Sequence, residues 1–333
     1  MRDNHSEVVP PKTLRPTPLQ PGGGRLREPL VQKSRVAIKD GSKSFSAASR
    51  LFDRVTRERV WMLYAWCRRC DDLTDAQDMG GELGDQSGIA DRVKHLRVLT
   101  KAALDGQPTH DPAFDAFGQV ASEVGLTMED ADAVIEGFQL DAQDWRPRTE
   151  KDLMQYCWHV AGAVGVMMAL VMGVEREDAD TLDRACDLGL AFQLANISRD
   201  VVEDDAAGRC YIPAEWLVEE DIEPGQHTKP HHRQELADMV RQMVLMMERH
   251  AISARIGAAR LPFRSRWAIL SAARIYTAIG REVLRRGTAA WDSRVYTSKL
   301  QKIGHAAAAF VEALVNSPPH LDHEPKWRRS DLT

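Results

Sequence analysis

Two aspartate pairs, each spaced four apart and separated by more than a hundred residues, are the groups in this chain best placed to do chemistry. Asp71 and Asp75 stand in CRRCDDLTD; Asp200 and Asp204 stand in NISRDVVEDD. Residues four apart in a helix lie on one face, about one turn apart. Two anionic faces brought together across a helix bundle repel each other and raise their own pKa values unless cations fill the gap. Hard carboxylate oxygens suit Mg²⁺, which is usually held together with a substrate's phosphates. The pairs therefore suggest a Mg²⁺–diphosphate site between two helices.

A single DxxxD is most often a solvated helix face. Here each pair continues a stripe that is otherwise of buried character. Tyr64, Arg68, Asp71 and Asp75 are spaced by four, three and four; Gly189, Gln193, Asn196, Asp200 and Asp204 form the matching stripe. At about 100° per residue, Asp204 lies about 40° from Asp200 and Glu203 about 60° away on the other side. Asp204 is thus the expected inward partner, with Glu203 and Asp205 at the rim. Arg68 and Arg199 stand beside the two pairs. Burying carboxylates without partners costs several kcal/mol each, so these faces imply counter-ions.

The elements that must carry these stripes read as helices nearly throughout. Apolar residues recur at three and four, and alternating strand-like runs are absent. The pattern predicts helices near 54–76, 88–105, 112–124, 127–143, 149–172, 178–205, 233–259, 263–286 and 297–315. Thr149 and Asp152 have capping spacing. The glycine-rich DMGGELGDQSG ends the first of these helices. Residues 1–33 hold six of the 16 prolines and the run PGGGR, which reads as a disordered leader. Residues 34–316 read as a single all-α domain and 317–333 as a loose tail.

Composition narrows the function. The chain has 333 residues, 43% hydrophobic and 28% charged, with a formal net charge of -5. That balance argues against a general nucleic-acid binder. No apolar stretch reaches the roughly 18 residues of a spanning helix, and no secretory signal opens the chain, so a cytoplasmic address is expected. Five cysteines do not form a disulfide framework, and the CxxC of Cys67 and Cys70 lacks a second ligand pair for zinc. Buried helix thiols are the expected reading.

Gln155 to Gly173, QYCWHVAGAVGVMMALVMG, is apolar on all sides and rich in small residues. Ala161, Gly162, Ala163 and Gly165 would admit either a neighbouring helix or a slender hydrocarbon close to the backbone. Tyr156 is either a core hydroxyl or a dipole facing a cation. His159 is expected to be a satisfied core histidine, and Arg281, Arg285 and Arg286 a solvated helix face.

Four ordered blocks, KSFSAASRLF, YAWCRRCDDLTD, YCWHVAGAVG and AFQLANISRDVVEDDAAGRCYIP, resemble the squalene/phytoene synthase family, most closely its bacterial phytoene synthases. The likeness spans about Lys39 to Lys302 and extends to RACDLGLAFQL and WAILSAARIY. It implies an all-α isoprenoid-synthase (terpenoid synthase) bundle around a central apolar cavity. It implies metal ligation by Asp71, Asp75, Asn196, Asp200 and Asp204, with Tyr156 joining the four aspartates as catalytic. Substrate binding is implied for Ser42, Ser44, Phe45, Arg68, Gln193, Asn196, Arg199, Arg209 and Tyr276. Arg209 and Tyr211 fall in the family's GRxYxP-type turn, with Cys210 within it as one departure. A second departure is DAQDWRPRT, which keeps Asp141 but carries Trp145 and Arg146 where Arg-Tyr is common.

The implied reaction is head-to-head condensation of two geranylgeranyl diphosphates through prephytoene diphosphate to phytoene, a committed step toward carotenoids. Mg²⁺, or Mn²⁺ in its place, is the implied cofactor, and no NADPH is expected because phytoene formation ends in deprotonation. The rival within the family is a squalene or dehydrosqualene synthase using farnesyl diphosphate. A silent scaffold would be expected to lose its carboxylates. Greasy substrates and a hydrocarbon product make peripheral contact with the inner membrane surface an expectation.

Overall fold

The computed structural model describes residues 19–74, 88–143, 145–320 and 324–333. Along these the chain forms α1 (Arg27–Gly41), α2 (Lys43–Ser49), α3 (Arg54–Thr74), α4 (Ile89–Leu104), α5 (Pro112–Val124), α6 (Met128–Ala142) and α7 (Glu150–Cys157). A π-turn at Trp158–Gly162 leads into α8 (Ala163–Val171) and then α9 (Ala179–Ala206). There follow α10 (Ala214–Glu219), α11 (Arg233–Ala258), α12 (Phe263–Arg286), α13 (Lys299–Val315) and α14 (Arg329–Leu332). No strand occurs among the described residues.

Local chemistry sets the boundaries. Thr127 with Asp130, Thr149 with Asp152 and Ser298 with Gln301 form reciprocal capping boxes that satisfy orphan N–H groups at the starts of α6, α7 and α13. Asp178 caps α9 by accepting from the Thr181 amide. Gly125 ends α5 in the left-handed region at φ 73°, which a glycine adopts without a Cβ clash.

Helix α9 is the axis of the bundle. It packs along α11, and α8, the π-turn and α12 also flank it. The approach of α8 to α9 is close enough to exclude side chains. A Cβ on Gly189 would collide with the Ala161 carbonyl, and one on Gly165 with the Ala185 carbonyl. The same segment lines an internal cavity through Val160, Ala161, Val164 and Gly165. Its small residues thus serve tight packing against α9 and also border an open space.

Four expectations need correction. The leader does not remain loose to residue 33. Gly22 and Gly23 turn at φ 72° and 60° against α5, Arg25 pairs with the buried Asp115 at 2.6 Å, and α1 begins at Arg27 with Leu30 and Val31 in the core. Residues 1–18 lie outside the described residues. The tail is anchored too: Trp327 Nε1 donates to Glu150 at 2.7 Å, Arg329 to Asp183 at 2.7 Å, and Leu332 is 1% exposed. The helix expected over 149–172 is interrupted by the π-turn. Finally, Glu150–Val171 is long and apolar enough to cross a membrane (mean hydropathy 1.4), but 61% of that window is buried inside the protein, as in a core helix.

Substituting Gly189 with Val should destabilise the fold by about 3 kcal/mol or more, since two backbones must part. Gly304, on the exposed part of α13 with open space around it, should accept Ala with a gain of about 0.5–1 kcal/mol. Urea melts of both variants check the pair; equal effects would refute the close-contact account.

Candidate active site

Two helices supply the facing walls. From α3 come Tyr64, Cys67, Arg68 and Asp71; from α9 come Gln193, Asn196, Arg199, Asp200 and Asp204. Together with Asp141, Tyr156, Arg209 and Tyr211 they line a basin of about 460 Å³. Behind it lies a second space of about 380 Å³ whose walls are mainly aliphatic. Tyr64, Val160, Val164, Gln193 and Asn196 border both, so the polar basin opens onto the apolar cavity. The π-turn matters here, because Val160 within it and Val164 one turn on sit at this junction.

Arginines hold the carboxylates. Arg68 lies 2.9 Å from both Asp71 and Asp72. Arg199 grips Asp200 with two N–H groups, one at 2.7 Å, and Arg294 reaches Asp200 from the loop after α12 at 2.8 Å. The Asp200 contacts hold the Arg199 guanidinium in its charged form. Asp204 is different. Burial and then the neighbouring Asp200 charge push its carboxyl from 3.8 up to about 7, with Arg209 pulling the other way.

On the third wall Tyr156 and Tyr211 both donate to Asp141, at 3.1 and 3.2 Å. Trp145, Tyr156 and Tyr211 stack in sequence, with centroids 5.7 and 4.7 Å apart. Burial, and then the charge on Asp141, hold both phenols above their ordinary range. Tyr156 is thus a dipole at the basin wall with a carboxylate as partner. Arg146 donates to the Gly208 carbonyl at 3.1 Å, tying this segment to the turn that carries Arg209. Trp145 and Arg146 thereby gain definite structural roles.

Among the expected residues, Arg68, Asp71, Tyr156, Gln193, Asn196, Arg199, Asp200, Asp204 and Arg209 meet in the basin. Ser42, Phe45 and Tyr276 line the apolar cavity instead; Ser42 also caps α2, and Tyr276 stacks on Phe192 at 4.0 Å. Asp75 lies outside the described residues, as does the side chain of Ser44. Glu203 and Asp205 do not line the basin; Glu203 pairs with Arg294 and Asp205 accepts from Thr228. His159 is satisfied by the Ala133 carbonyl at 2.8 Å, and Arg281, Arg285 and Arg286 are paired with Glu248 and Glu282. Burial pushes the Cys67 thiol up to about 12, and none of the five cysteines is in a disulfide.

Sequence reasoning missed Asp72 and Arg294, and noted Asp141 as kept without giving it a role. Asp72 is 3% exposed and sits off the inward stripe, so its pairing with Arg68 shows only in three dimensions. Arg294 lies in a loop, where helical spacing carries no signal.

No three of the described carboxylates, histidines and cysteines are gathered tightly enough to cage a cation alone. The donor set nonetheless fits a hard divalent ion that completes its shell with phosphate and water. Asp71, Asp200, Asp204 and Asn196 offer oxygens to one basin, and a carboxyl raised by its neighbour's charge leaves room for positive charge there.

The squalene/phytoene synthase family profile matches residues 38–301. A phytoene synthase from Pseudescherichia vulneris is 44% identical over 305 residues, covering 90% of this chain and 98% of that protein. A 15-cis-phytoene synthase from Pantoea ananas is 44% identical over 87% of this chain and 94% of its own length. Among solved structures, a ligand-bound dehydrosqualene synthase superposes with a TM-score of 0.76 at 25% identity, over 87% of this chain and 98% of that one. A squalene synthase from Alicyclobacillus acidocaldarius gives 0.68 at 22% identity, over 80% and 98%, a likeness of fold. Acidic walls facing each other at the mouth of an apolar cavity thus occur in a chain matched nearly end to end by these enzymes, and it belongs to the squalene/phytoene synthase family.

Proposed function

We propose that this chain is a phytoene synthase that joins two geranylgeranyl diphosphates head to head, through prephytoene diphosphate, to phytoene. The observation that carries the reading is the junction of an acidic, arginine-lined basin with an apolar cavity at Tyr64, Gln193 and Asn196. Similarity to phytoene synthases over most of the chain supports this product over squalene or dehydrosqualene.

Diphosphate would lie in the basin and the prenyl tails in the cavity. Asp71, Asn196, Asp200 and Asp204, with Asp75, would hold Mg²⁺, for which Mn²⁺ is a chemically similar substitute. When bound, such ions neutralise diphosphate and make it a competent leaving group. Arg68, Arg199 and Arg209 add positive charge where the leaving oxygens gather, an electrostatic contribution placed before reaction begins. The apolar walls hold the allylic cation against the second alkene and keep water away. Tyr156 and Tyr211, held neutral and oriented by Asp141, present dipoles to that cation rather than a charged base. Each ionisation releases one diphosphate; closing the cyclopropane and forming the final double bond each release one proton, so no reductant is consumed.

Incubation with geranylgeranyl diphosphate and Mg²⁺, without NADPH, should yield phytoene and two diphosphates; a product formed only from farnesyl diphosphate would overturn the reading. In that assay Asp71→Ala should lose about 10²–10³ in turnover, the usual cost of removing a key electrostatic group. Near-normal turnover would remove Asp71 from the site.

A pH dependence follows from Asp204. Its folded-state value lies above the ordinary 3.8, so without metal the fold favours the protonated form. The metal-free protein should therefore lose stability as pH rises from about 4 to about 7. A bound cation needs the carboxylate, so stabilisation by Mg²⁺ should grow over the upper part of that range. Thermal melts with and without Mg²⁺ between pH 5.5 and 8 test this; a shift independent of pH, or one retained in full in Asp204→Asn, would count against it.

The outward face of α13 supports peripheral membrane contact. Leu300 is 80% exposed, and Ile303, Val311 and Leu314 continue an apolar stripe beside Lys299. Co-sedimentation with anionic vesicles should fall in an Ile303→Lys, Leu314→Lys double variant; unchanged partition would point to another face.

A further inference from the structure

We propose that Arg184 is the residue that sets the maximum prenyl length, as an anchored floor at the far end of the apolar cavity. The inference rests on the reading of the cavity as the tail-binding site and deepens it.

Helix α9 runs the length of this cavity and serves as its ruler. Asn196 stands at the mouth, shared with the basin, and Leu188, Ala185 and then Arg184, with Thr181 beside it on the adjoining turn, line the cavity toward the start of the helix. The twelve residues from Asn196 to Arg184 span about 18 Å at 1.5 Å per residue. A carbon chain with bonds of about 1.52 Å and angles near 111° advances roughly 1.25 Å per bond, hence roughly 5 Å per isoprene unit. Three units reach roughly 15 Å, about half a turn short of Arg184. Four units reach roughly 20 Å and fill the space to the floor. Five would need that floor to move.

A long, flexible side chain is ordinarily a poor wall, but this one is fixed at three points. Its Nε donates to Asp180 at 3.1 Å, Nη1 donates to Ser253 at 3.0 Å, and Nη2 lies 3.4 Å from Glu324 in the C-terminal segment. Ser253 is itself buried and donates to Asp187, which also holds His250 at 2.8 Å. The Arg184 side chain is 12% exposed. Swinging the guanidinium away would take a partner from this buried polar group, which is unfavourable. The opposite wall is built around it: a Cβ on Gly257 would fall 2.6 Å from the Arg184 Cβ. Gly257 thus leaves room for the arginine stem, and α9 and α11 close together at this level.

The test compares kcat/KM for C15, C20 and C25 prenyl diphosphates in the full chain. The wild type should prefer C20 to C25. Arg184→Ala should raise the C25-to-C20 ratio by about tenfold or more, the discrimination carried by one misfit group in an apolar pocket. Glu324→Gln, which loosens one anchor without touching the cavity wall, should move the ratio the same way by less, and keeps the test open if Arg184→Ala fails to fold. A wild type that accepts C25 as readily as C20, or folded variants whose ratios do not move, would overturn the floor. A wild type inactive on C20 would instead overturn the function on which the proposal rests.

Discussion

Negative charge has to be kept inside an otherwise apolar bundle, and most of the architecture answers to that requirement. Asp71 and Asp72 on α3 share Arg68, and Asp200 on α9 is gripped by Arg199 and Arg294. Asp141 accepts hydrogen bonds from two phenols. Asp204 accumulates enough repulsion and burial to be protonated near neutrality. Arginine suits this work because its planar fork stays charged and can bind two oxygens at once. The same guanidinium groups then stand where a diphosphate would arrive, so the groups that make the acidic walls tolerable also complement the substrate's charge.

The apolar half of the site obeys a different constraint. A cavity inside a close-packed protein must be walled by contacts that do not collapse into it. Glycines at 165 and 189 bring α8 and α9 together at the backbone level, which fixes their separation more tightly than interdigitating side chains would. The π-turn adjusts the helical phase so that Val160 and Val164 reach the junction between basin and cavity. Carboxylates and arginines gather in the basin while mainly aliphatic side chains wall the cavity, with Gln193 and Asn196 at the border.

Much of this was legible in the sequence, and the exceptions have physical reasons. Helix periodicity placed α9, α11 and α12 to within a few residues, because long unbroken stretches of helical spacing leave little choice. The inward stripes gave Arg68, Asp71, Gln193, Asn196, Asp200 and Asp204, and the geometry of 100° per residue separated Asp204 from Glu203. Composition misled at both ends of the chain. Prolines and glycines around residue 21 suggested disorder, whereas glycines at positive φ are what let that turn seat against α5 and Asp115. Near the C-terminus, Trp327, Arg329 and Leu332 are too few to form a periodic signal, yet each finds a specific partner or a buried place. Arg294 and Asp72 were hidden because their roles depend on tertiary approach rather than on spacing along a helix.

The turn around Arg209 and Tyr211 carries a consequence for turnover. It is latched by Arg146 to the Gly208 carbonyl, by the Pro147 and Arg148 carbonyls to the amides of Ala214 and Glu215, and by the aromatic stack through Tyr156. This stretch of the rim is held in place by the protein's own contacts. Its conformational entropy is surrendered once, when the chain folds, instead of at each arrival of substrate. Binding energy from the diphosphates is then free to distort and orient the reacting carbons rather than to order a loop.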